Sequence, residues 1–161
     1  MIPSIDRILY ATDLSRNSAY AFRYAMNSAE KHNATIDILY VVKGGVFQGA
    51  FDYSAPLSDN KTVSIEKTIL QRMESVLKKE PNCSALMKRI SSIQVIEGDP
   101  VVRILQQVDQ LKSNLLVMGT HSKGFIAQTF LGSVATQVLQ RVRIPVFIIP
   151  IPAKTDIAFD D

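Results

Sequence analysis

Short apolar runs alternate with amphipathic stretches from one end of the chain to the other, and the alternation sets out the elements. Arg7 to Ala11 (RILYA) is an apolar run stopped by Thr12-Asp13-Leu14-Ser15, which reads as a buried strand followed by a turn. Ala19, Phe22, Ala25, Met26 and Ala29 then repeat at helical spacing, with Ser15 or Asn17 as the amino cap and Asn33 as the stop. Ile36 to Val42 (IDILYVV) is a second strand, rich in β-branched residues, that runs into Lys43-Gly44-Gly45. Residues 44–62 show no period and carry Phe47, Phe51 and Tyr53, so a long loop is expected there. Its aromatics either close over a ligand, pack on a neighbouring subunit or tuck against the domain. Ile65, Ile69, Leu70, Met73, Val76 and Leu77 predict a second helix, ending near Glu80 because Pro81 disfavours helical geometry before it. Cys83 to Arg89 adds a further helical piece, and Ile93, Val95 and Ile96 mark a third strand. Asp99 as cap and Pro100 at the first helical position open the next helix, whose inner face is Ile104, Leu105, Val108 and Leu111.

The next stretch has the densest chemistry. Leu115 to Met118 is an apolar run of the kind buried on both faces of a parallel sheet, and it ends at Gly119. The loop from Gly119 to Gly132 offers bare backbone amides, the hydroxyls of Thr120 and Ser122, and the cation of Lys123. From Val134 the apolar positions Val134, Val138, Leu139 and Val142 resume helical spacing. Gly132-Ser133 sits at the amino end, where unpaired N–H groups favour an anion. Strand, glycine loop and helix start together form a candidate phosphate cradle, although Gly132-Ser133 can equally be an ordinary helix cap. The loop is not a P-loop, since the Gly-Lys-Ser/Thr ending is missing. Ile144 to Ile149 supplies a fifth strand.

This βα alternation calls for an α/β fold with a doubly wound, five-stranded parallel sheet and helices on both faces, because parallel strands need right-handed crossovers. In such sheets ligands sit beyond the carboxyl ends of the strands, so the loops after strand one and strand four should meet. One domain, residues 1–150, is expected, with a short tail at 151–161 that stays poorly ordered unless a partner holds it.

Composition narrows the function classes. Lys and Arg number 18 against 15 Asp and Glu, spread along the chain, which argues against a nucleic-acid partner. The single cysteine, Cys83, allows neither an internal disulfide nor a cysteine zinc site, and a reducing cytoplasm is the expected home. No stretch approaches the ~20 apolar residues that span a bilayer, so no membrane partner is expected. Catalytic residues are not expected. His121 has no nucleophile or carboxylate partner in sequence, and no paired-carboxylate set or metal cluster stands out.

Several motifs together resemble those of the universal stress proteins: Asp6 to Ser15 (DRILYATDLS), the strand IDILYVV, Glu97-Gly98-Asp99-Pro100, Val117 to His121 (VMGTH) and Leu131 to Ala135 (LGSVA). They occur in that family's order over most of the chain. The resemblance implies a strand order of 3-2-1-4-5 and, in the nucleotide-binding members, the pattern Gly-x2-Gly-x9-Gly-Ser/Thr after the fourth strand. Gly119 and Gly132-Ser133 fit that pattern, whereas its second glycine is Ser122 here. By resemblance Asp13 bonds the ribose hydroxyls with Ala11 and Thr12 beside it, and Val41 meets adenine. Met118 and Gly119 flank the sugar and α-phosphate, and Ser122, Gly132, Ser133 and Val134 meet the phosphates. Asp13 also has an ordinary reading as a turn former.

The implied function is ATP binding by a homodimeric regulatory or stress-response module, with Mg²⁺ or Mn²⁺ accompanying the triphosphate. Slow ATP hydrolysis is compatible with it. Dimerisation is expected through the apolar fifth strand, Ile144 to Ile149, whose bare edge would invite aggregation. The alternative is a dimeric interaction scaffold of the same fold that has lost nucleotide binding at Ser122.

Overall fold

The computed structural model describes residues 1–43, 57–120 and 131–152. Five strands, β1 (Arg7–Thr12), β2 (Thr35–Val42), β3 (Ile90–Glu97), β4 (Leu115–Gly119) and β5 (Val146–Ile149), form one sheet in the order β3-β2-β1-β4-β5. All four pairings are parallel. The helices are α1 (Ser18–His32), α2 (Asp59–Leu77), α3 (Cys83–Met87), α4 (Pro100–Gln110) and α5 (Ser133–Leu139). The doubly wound fold and the 3-2-1-4-5 order are thus as expected. The sequence order reverses between β1 and β4, neighbours in space with Ala11 opposite Met118.

Alternate residues of each central strand serve opposite faces, which is why these strands read as continuous apolar runs. Ile8 and Tyr10 of β1, Ile36, Ile38 and Tyr40 of β2, and Leu115 and Val117 of β4 join Phe22, Met26, Ile65, Ile69 and Met73 of α1 and α2 in one core. Leu9, Ala11, Leu39, Leu116 and Met118 join Val101, Ile104, Val108, Ala135 and Val138 of α4 and α5 in the other. On α4 the inner face differs slightly from the one expected: Val101 and Gln107 are buried with Ile104 and Val108, while Leu105 and Leu111 pack at the margin.

Several boundaries depart from the sequence reading. Helix α2 begins at Asp59, so residues 59–62 belong to a helix and not to the long loop expected over 44–62. Ser58 is its cap, its side chain accepting from the Lys61 amide. Residues 44–56, including Phe47, Phe51 and Tyr53, lie outside the described residues. That α2 stops at Leu77, ahead of Glu80, reflects a turn in which the Glu80 amide bonds the Leu77 carbonyl. Neither Ser15 nor Asn17 caps α1 through its side chain; Asn17 holds the cap position, and the Ser15 backbone carbonyl accepts from the Ser18 amide. Strand β3 starts at Ile90, earlier than its apolar residues suggest, because Ser92 is held in the ladder by donating to the buried carboxylate of Asp37 at 2.6 Å. Strand β5 is shorter than Ile144 to Ile149: it begins at Val146, since Pro145 has no N–H to donate and contributes only its carbonyl, to Leu116.

Asn33 ends α1 in the left-handed conformation at φ +53°, and Asp99 caps α4 with its carboxylate accepting from the Val102 amide at 3.0 Å. Asp99→Ala is expected to lower unfolding stability by about 1 kcal/mol, the usual worth of an amino cap, measured by urea denaturation.

Candidate functional site

The loop after β1 is built by its own side chains. Thr12 Oγ1 accepts from the Leu14 amide at 3.1 Å and Asp13 Oδ1 accepts from the Ser15 amide at 2.9 Å, so these two polar residues fold the chain sharply as it leaves the sheet. Leu14 takes a left-handed φ of +56°, a costly conformation for leucine. Two features offset that cost: its side chain is buried in the α1–α2 core, and its carbonyl accepts from Arg72 Nη1 of α2 at 3.2 Å. Below the loop, the Tyr10 hydroxyl donates to the Ser18 carbonyl at 2.9 Å and its ring lies 5.8 Å from that of Phe22. Burial pushes the Tyr10 phenol well above its ordinary range, so it stays neutral and keeps the proton that it donates.

At the other side of the reversal point, Gly119 ends β4 and Thr120 continues alongside β5, its amide bonding the Ile149 carbonyl at 2.9 Å. Gly132 opens α5 at φ +78° and ψ +154°, a region open to glycine and hardly to any other residue. These ends converge on one cavity at the carboxyl edge of the sheet. Ala11, Thr12, Asp13, Val41, Met118, Gly119, Gly132, Ser133 and Val134 all line it. Of the expected positions, Ser122 alone lies outside the described residues.

The lining divides by chemistry. Ala11, Leu39, Val41, Ile104, Met118 and Val134 make an apolar wall, while Thr12, Asp13, Ser15, Thr120 and Ser133 supply hydroxyls and a carboxylate. Asp13 is exposed; it forms the turn by accepting from the Ser15 amide and is also among the residues that line the cavity. Among the described residues no group of three or more His, Cys, Asp or Glu could hold a metal ion.

The structure also adds lining residues that the resemblance did not assign to the site: Tyr40 and Lys43 at the end of β2, Ile104 on α4, and Ile151 after β5. Helical spacing places Ile104 in the core, and it serves both core and cavity. Lys43 and Ile151 were findable, because residues just past strand ends face the crevice of a doubly wound sheet.

A family model, that of the universal stress protein family, matches residues 4–150. The chain belongs to the universal stress protein family. Among curated relatives, a universal stress protein of Methanocaldococcus jannaschii is 27% identical over 148 residues, covering 92% of this chain and 84% of the relative. A universal stress protein solved in complex with cAMP superposes with a TM-score of 0.64 at 21% identity, over 93% of this chain and 100% of that one. Another, from Archaeoglobus fulgidus in complex with dAMP, superposes with a TM-score of 0.57 at 17% identity, over 92% of this chain and 99% of that one. At these identities the likeness to the solved structures is one of fold. In this universal stress protein no helix among the described residues is long and apolar enough to cross a membrane.

Proposed function

We propose that this universal stress protein binds ATP in the cavity at the β1–β4 reversal point and acts as a homodimeric regulatory or stress-response module in the cytoplasm. The observation that carries the reading is the convergence of Ala11, Thr12, Asp13, Val41, Met118, Gly119, Gly132, Ser133 and Val134, drawn from four separate chain segments, on that cavity. An apolar wall beside hydroxyls and a carboxylate fits a molecule with a flat apolar base at one end and a polar sugar at the other. Two family members of the same fold were solved with the adenine nucleotides cAMP and dAMP, which supports an adenine nucleotide here as well.

The residues have distinct parts in this reading. Asp13 accepts hydrogen bonds from the ribose hydroxyls, beside Ala11 and Thr12, and Val41 packs on the base. Met118 and Gly119 flank the sugar and α-phosphate. Ser122, Gly132, Ser133 and Val134 face the phosphates. Mg²⁺ or Mn²⁺ would be held largely by phosphate oxygens and water, a mode that asks for few protein carboxylates. Dimerisation uses β5, which pairs with β4 on one side only and presents Phe147, 41% exposed, beside that edge.

The deciding measurement is titration of nucleotide-free protein with Mg-ATP, read by calorimetry and thermal shift. Saturable binding is expected, with a rise in melting temperature, because a ligand that binds the folded state alone must stabilise it. Asp13→Ala should weaken binding by about thirtyfold, the ~2 kcal/mol typical of a hydrogen bond to a charged acceptor. Well-folded wild-type protein that neither binds nor gains stability would leave a dimeric scaffold as the function.

A further inference from the structure

The chain beyond β5 enters the site from behind. Ile151 lines the same cavity as Gly119, and its side chain also packs against the core between the sheet and α1–α2. Its backbone amide donates to Thr120 Oγ1 at 3.2 Å, while the Thr120 amide donates to the Ile149 carbonyl at 2.9 Å. Thr120 thus grips the departing chain at two points. A Cβ built at Gly119 would stand 2.6 Å from Ile151 Cδ1 and 3.3 Å from the Ala21 Cβ of α1. Backbone torsion does not explain this glycine, because Gly119 is not among the residues with positive φ. A methyl group at 119 would make the free end of the Ile151 side chain turn aside and would press Ile151 Cγ1 and the Ala21 Cβ, both at 3.3 Å.

We infer that position 119 is glycine to seat Ile151, and that the Gly119–Ile151 contact with the Thr120 clamp links occupancy of the site to the strand-five edge of the sheet. The proposal rests on the reading of the cavity as a nucleotide site and adds a positioning residue to it. Ile151 is the wall on the α1 side, placed within two residues of the strand that carries the exposed edge. Filling the site immobilises Ile151, which steadies Thr120 and the carboxyl end of β5. By reciprocity, anything that covers the β5 edge and stiffens that segment raises affinity for the site's ligand.

The test is a double-mutant cycle with Gly119→Ala and Ile151→Ala in the full chain, read by melting temperature without ligand and by Mg-ATP affinity. Gly119→Ala alone should lower the melting temperature and weaken binding by about tenfold, the scale on which a pocket registers one misplaced methyl group. Adding Ile151→Ala should restore much of both losses, because the truncated side chain vacates the space that the new methyl requires. Thr120→Val should speed hydrogen exchange at the Ile151 amide and Thr120→Ser should not; nucleotide should slow that exchange in the wild type. Strictly additive losses in the cycle, or an Ile151 amide indifferent to nucleotide that does bind, would overturn the proposal. A wild type that binds no nucleotide would overturn the nucleotide reading and the linkage built on it, while the melting-temperature cycle would still decide the Gly119–Ile151 pairing.

Discussion

Gly132→Val is expected to weaken nucleotide binding by about a hundredfold, close to 3 kcal/mol, while leaving the ligand-free protein folded. Gly132 stands at φ +78° and ψ +154°, where a β-branched residue meets its own backbone. The variant can keep this geometry and lose roughly 3 kcal/mol of stability, or it can rotate the backbone and shift the start of α5. The second course costs less here. Helix α5 has seven residues and buries only Ala135 and Val138, so its first turn is lightly anchored. Rotation at 132 carries Ser133 and Val134 away from the cavity that they line. The melting temperature of the free protein should therefore fall by less than about 4 °C, and calorimetry should show the loss in affinity. An unchanged dissociation constant in a folded Gly132→Val protein would show that this end of the cavity does not touch the ligand.

Why some of this was legible in sequence and some was not has a physical pattern. Strands β1, β2 and β4 are buried on both faces, so their apolar runs identified them directly. The described site residues named from the motifs lie in the last residues of β1, β2 and β4, just past β1, or at Gly132 and the start of α5, and the parallel sheet with its reversal of strand order brings those ends together. What escaped were features fixed by tertiary contact. Ser92 belongs to β3 because it answers Asp37, 55 residues away in sequence, and no local period reports such a pairing. The start of α2 was hidden because Asp59 to Thr62 carry no apolar stripe, although Ser58 offered a cap signal. The tail was expected to be poorly ordered, yet Ile151, its first residue, is seated against Gly119 and Thr120.

The same Asp37 leads to the second large effect: Arg7→Leu should destabilise the fold by about 3 kcal/mol while leaving nucleotide affinity unchanged. The Asp37 side chain is fully buried in β2, and its Oδ2 accepts from Arg7 Nε at 2.8 Å while Oδ1 accepts from Ser92 at 2.6 Å. The Arg7 side chain is 39% exposed, so its guanidinium reaches inward from the surface and keeps part of its hydration. Removing it leaves a buried carboxylate with one hydroxyl in place of a cation, and the penalty is that of an uncompensated charge. Replacing Asp37 as well should recover most of the loss: in Arg7→Leu/Asp37→Leu no buried charge is left unpaired, and apolar replacement of such pairs is often neutral or better. Arg7 sits at the start of β1, roughly 16 Å by strand rise from Thr12 at its end, which is why affinity should not move. Urea denaturation of the two variants checks the stabilities and a Mg-ATP titration the affinity. If Arg7→Leu costs less than about 1 kcal/mol, the pair is a surface salt bridge in energetic terms and Asp37 must draw its compensation elsewhere.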